Sequence, residues 1–61
     1  MNMKTFNVVV QCDTPDELAR VLLLASQKVK DEVFSFDEME VDDAAEVDTL
    51  DDTRASINRS E

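Results

Sequence analysis

The chain has 61 residues, 15 acids against 6 Lys and Arg, a net charge of −9, one cysteine, and no glycine, histidine, tyrosine or tryptophan. That length allows one domain with a thin core. The composition argues against zinc sites and phosphate-cradling glycine loops, and the charge disfavours direct contact with nucleic acid or an anionic membrane.

The first element in the chain is a strand. Phe6, Val8, Val10 and Cys12 alternate with Thr5, Asn7 and Gln11, the period of two expected when one face is buried. Val9 is the one apolar residue on the polar face. Cys12 reads as a small buried hydrophobe, and a single thiol with no disulfide framework suits a reducing cytoplasm.

A helix follows. Thr14 is placed to cap it, Pro15 takes the first helical position, and Glu17 stands where a capping box requires it. The spacing predicts a helix to about Lys30 with Leu18, Val21, Leu22, Ala25 and Val29 on its buried stripe. Asp16 and Glu17 in the first turn and Lys28 and Lys30 in the last oppose the helix dipole, and Asp16 and Arg20 form an i,i+4 pair. Leu23 and Leu24 fall outside the stripe. They read either as isolated surface residues or, with Val9, as a self-association surface.

Residues 33–41 read as a second strand. Phe34 and Phe36 share one face while Met39 and Val41 share the other, so either a bulge near Asp37 and Glu38 resets the alternation or the strand breaks there, and one bulged strand is the preferred reading. The expected fold is therefore α+β: a strand-helix-strand, βαβ-like core over residues 1–41. Its sheet would have two open edges and one bare face, so homo-oligomerisation is expected.

Beyond Val41 the composition changes. Residues 42–61 read as an acidic tail, either disordered or forming a short helix on the 3-4-3 spacing of Val47, Leu50, Arg54 and Ile57. The span from Asp31 to Asp52 holds eleven of the acids and no Lys or Arg. On a strand, Glu38, Glu40 and Asp42 would stand about 6.6 Å apart, a row resembling a phosphate backbone. Glu38, Glu40, Asp42, Asp43, Glu46 and Asp48 are accordingly the candidate partner-binding residues, and the expected partner is a protein with a basic surface.

No catalytic, cofactor-binding or metal-binding residues are assigned. Without histidine, Cys12 has no activating base, and fifteen acids in a short chain give close carboxylate spacings by chance. The acidic run lacks the glycine and ligand spacing of a calcium loop. The longest unbroken apolar run of the chain, Val21 to Ala25, is too short to span a bilayer. Residues 6–25, with Thr14-Pro15-Asp16-Glu17-Leu18-Ala19 at their centre, loosely resemble the strand-helix-strand layout of small phage-encoded accessory proteins, including inhibitors of host enzymes. That resemblance covers under half the chain and transfers no functional residue. Two functions are expected: an acidic inhibitor that binds a partner's basic surface, or a self-assembling adaptor with a solubilising tail.

Overall fold

The computed structural model describes residues 3–50 and 52–61. The element order is β1 (Thr5–Gln11), α1 (Pro15–Asp31), α2 (Val33–Asp37), β2 (Ala44–Glu46) and β3 (Arg54–Ser60). The fold is mixed α+β, with one antiparallel sheet in the order β1-β3-β2 and two helices.

The first two elements form where the sequence places them. Thr14 has extended backbone angles, and its hydroxyl accepts from the Glu17 N–H at 3.1 Å. This satisfies one of the donors that the first turn of a helix leaves open. The Glu17 carboxylate accepts from the Arg20 guanidinium. Lys28 pairs with Glu32 at 2.9 Å, and the Glu32 N–H donates to the Lys28 carbonyl where α1 ends.

Past Glu32 the structure departs from the expected second strand. The Phe36 N–H donates to the Glu32 carbonyl and the Glu38 N–H to the Phe34 carbonyl, so Val33–Asp37 is a short helix. A strand would place Phe34 and Phe36 on one face, whereas two helical steps turn them about 200° apart. Only one can then be buried: Phe36 is 5% exposed and Phe34 84%.

The acidic tail and the βαβ core also give way to a different arrangement. Residues 44–46 and 54–60 are strands, and β3 lies between β1 and β2. Both neighbours run antiparallel to β3 and hence parallel to each other. The two outer strands, β1 and β2, are therefore separated by β3 and are not bonded to each other. Seven opposed pairs, from Thr5 with Ser60 to Gln11 with Arg54, join β1 to β3. The bulge expected near Asp37 and Glu38 does not form, since α2 ends there; a different one lies at Asp42 and Asp43, at the entry to β2. Asp42 donates to the Arg59 carbonyl at 2.9 Å, while Arg59 donates to the Asp43 carbonyl at 3.1 Å, so two residues oppose one. Asp42 has φ 73°, the left-handed position that such a bulge normally gives to glycine. In a chain without glycine, a short polar residue takes it at modest cost.

The core lies between α1 and the inner face of the sheet. Val21, Ala25, Phe36, Val47, Ala55 and Ile57 are buried, with Val10, Leu24, Val29, Met39 and Ala45 packed against them. Three of the six buried residues come from the segment expected to be a tail. Conversely, Leu18, Leu22, Phe34 and Val41 stay largely exposed, and Cys12 is half-buried at the end of β1. Among the described residues no helix covers the outer face of the sheet, which is polar apart from Val9 on β1. Asn7 donates from Nδ2 to Asn58 Oδ1 and Ser60 Oγ, both at 3.1 Å, so side chains tie β1 to β3 on the solvent side.

Candidate functional site

Two surfaces stand out, at opposite edges of the sheet. The first is acidic and follows the chain from the end of α2 along β2. Glu38 ends α2, and Glu40 and Asp42 lie in the turn entering β2. Glu46 is on β2, and Asp48 follows it. The regular strand-borne row of Glu38, Glu40 and Asp42 is thus not formed, because the backbone there is a helix end and a turn. All six candidate residues, Glu38, Glu40, Asp42, Asp43, Glu46 and Asp48, are nevertheless exposed. Among the described residues none of these six carboxylates is paired with a cation.

The acidic turn is held in place. The Glu40 N–H donates to Asp43 Oδ2 at 3.2 Å, and the Asp43 N–H to the Glu40 carbonyl at 3.0 Å. From the inner face of β3, the Arg59 guanidinium donates to the Met39 carbonyl at 2.6 Å. On the other side of α2, Lys4 binds Asp37 through both the backbone carbonyl at 2.5 Å and the carboxylate at 3.1 Å. Basic residues at the two flanks therefore fasten the segment between Asp37 and Asp43. Asp51, also part of the acidic run, lies outside the described residues.

The second surface is apolar. Phe6 and Val8 of β1, Leu22, Ala25, Ser26 and Val29 of α1, Phe36 and Ile57 line a groove of about 340 Å³. The groove opens beside β1, whose other flank is bonded to β3 and which is an edge strand of the sheet. Val8 is 47% exposed and Leu22 45%.

The expected self-association residues separate. Leu23 is 60% exposed on α1, and Val9 projects from the outer face of β1. Leu24 instead packs against the core, because Val47 brings the chain after β2 beneath that side of α1. This is a correction to its reading as a surface residue. Three residues that shape the two surfaces, Ala55, Ile57 and Arg59, were missed by the sequence reading. Their signal was the alternation of Arg54-Ala55-Ser56-Ile57-Asn58, a strand period read as part of a helical one.

Among the described residues there is no group of three or more side chains that could hold a metal ion, and no helix is long and apolar enough to cross a membrane. Compared with known protein families, curated protein sequences and solved structures, the chain matches none.

Proposed function

We propose that the protein is a small, non-catalytic interaction module of the cytoplasm that binds a basic surface on a partner protein stoichiometrically. Where that surface normally holds nucleic acid, the module acts as an inhibitor. The observation that carries this reading is the exposed acidic edge: six carboxylates, from the end of α2 through the turn held by Lys4 and Arg59 to the residue after β2, none ion-paired among the described residues, with no Lys or Arg between Asp31 and Asp52. Charge of one sign on a braced turn favours fast, electrostatically steered encounter with an opposite charge.

The test replaces Glu38, Glu40 and Glu46 with Gln and Asp42, Asp43 and Asp48 with Asn. Asn retains an oxygen for the Glu40 N–H, so the turn and the circular dichroism spectrum should be preserved. The native chain, used as bait in a cell extract, should capture a basic protein that is released by raised salt and by competing duplex DNA. The neutralised chain should capture none of it. Capture that survives loss of all six acids refutes the reading.

A second reading, a self-assembling adaptor, is favoured by the open β1 edge and its groove.

A further inference from the structure

The backbone of β1 faces two ways, and the bonds of β3 show which residues face outward. On the β2 side, Arg59 exchanges bonds with Asp42 and Asp43, and Ala55 accepts from Val47. The odd-numbered residues of β3 therefore turn their backbone groups to β2, and by antiparallel alternation the even-numbered ones turn theirs to β1. Val9 stands opposite Ser56 and Asn7 opposite Asn58. The odd-numbered residues of β1 are thus the ones bonded to β3. Phe6, Val8 and Val10 direct their N–H and C=O groups at the open edge, and their side chains lie on the inner, groove-bearing face.

The two edges differ in charge. None of the fifteen acids precedes Asp13, so β1 is free of negative charge. β2 is three residues long, carries Glu46 and is flanked by Asp42, Asp43 and Asp48. Pairing two copies through β2 would oppose like charges on a very short strand. A chain of net charge −9 meets its own copy at least electrostatic cost through β1.

We propose that the β1 edge and the adjoining groove seat a second copy of this chain, related by a two-fold axis through Val8 perpendicular to the sheet. Val8 then opposes the partner's Val8, and Phe6 opposes the partner's Val10. These pairs make about six hydrogen bonds and give a six-stranded antiparallel sheet. Pairing residues of the same parity keeps both α1 helices on one face. The two grooves open into each other, and Phe6, Val8 and Leu22 are removed from water. The acid-guarded β2 edges become the outer rims and end the assembly at two copies.

The size of the surface sets the class of interface. A seven-residue strand is about 23 Å long, and strand plus helix stand on the order of 20 Å tall. The patch is on the order of 450 Å² per copy, which places it at the small end of interfaces, among weak and transient ones. This inference rests on the adaptor reading and does not require the acidic edge to bind a basic partner.

The experiment is sedimentation velocity on the full chain from about 1 to about 500 µM, joined to amide hydrogen exchange by NMR. The mass should rise toward twice 6.9 kDa, and exchange at Phe6, Val8 and Val10 should slow by about tenfold or more with concentration. Added NaCl should strengthen the dimer by screening self-repulsion, whereas it should weaken basic-partner binding, so failures of the two readings are distinguishable. Val8→Pro removes an outward N–H without touching the β3 ladder. It should give a monomer with an unchanged circular dichroism spectrum. If this variant does not fold, exchange in the native chain decides. A monomer across the whole range, or a dimer whose Phe6, Val8 and Val10 amides stay unprotected, overturns the proposal.

Discussion

Replacing Ile57 with alanine should destabilise the protein far more than replacing Phe34, although Phe34 is the larger side chain. Ile57 is 2% exposed at the centre of the middle strand, opposite Val8 and Ala45. Truncating it removes three buried carbons, about 2.4 kcal/mol at ~0.8 kcal/mol for each. The space left behind raises the expected cost to about 3 to 4 kcal/mol. A chain of this length has a total stability of roughly 3 to 9 kcal/mol, so Ile57→Ala should lose about a third of it or more. Phe34 keeps 84% of its surface in water, and Phe34→Ala should change stability by about 0.5 kcal/mol or less. Without tryptophan or tyrosine, the assay is urea denaturation followed by far-ultraviolet circular dichroism. At a slope of about 1 kcal/mol per molar urea, Ile57→Ala should shift the midpoint down by about 3 M. An equal or larger loss for Phe34→Ala would refute the assignment of β3 to the core and restore a strand at residues 33–41.

Two further outcomes test local features. Thr14→Ala should lower stability by about 1 kcal/mol in the same urea titration, because it removes the hydroxyl that accepts from the Glu17 N–H; an unchanged midpoint would show that the cap does not hold α1. Asp42→Val should cost about 1 to 2 kcal/mol at φ 73°, while Asp42→Asn should be close to neutral, since asparagine tolerates the left-handed region and a β-branched residue does not; equal effects of the two substitutions would remove the argument from backbone angle.

The first half of the fold was legible because its signals are local. Thr14, Pro15 and Glu17 specify a helix start within four residues, and the alternation from Phe6 to Cys12 specifies a strand without reference to anything distant. Phe34 and Phe36 misled for the same reason. Their spacing satisfies a strand locally, while burial of Phe36 beside Ala25 and Ile57 and exposure of Phe34 depend on tertiary packing. Ile57 and Ala55 alternate as a strand requires, but Val47, Leu50 and Ile57 also fit a helical spacing, and the density of acids before them favoured a tail. What decided between these patterns was pairing with Thr5–Gln11, about fifty residues away in sequence. The candidate acids were all found at the surface, yet their arrangement as a row was not, since Asp42 and Asp43 form a bulge that turns the chain.

The middle strand of the sheet is also its last to be synthesised. β1 emerges from the ribosome first and β2 much later, but neither has a neighbour until residues 54–60 follow. The cap at Thr14 allows α1 to form early and locally, whereas the sheet must wait for a closure that joins Thr5 to Ser60. Such long-range pairing slows folding relative to a chain of local contacts. Throughout that interval the apolar face of β1 has nothing beside it, a condition that exposes nascent chains to aggregation. The acids between Asp31 and Asp52 are synthesised during the same interval, so the growing chain gains its repulsive charge before its sheet can close.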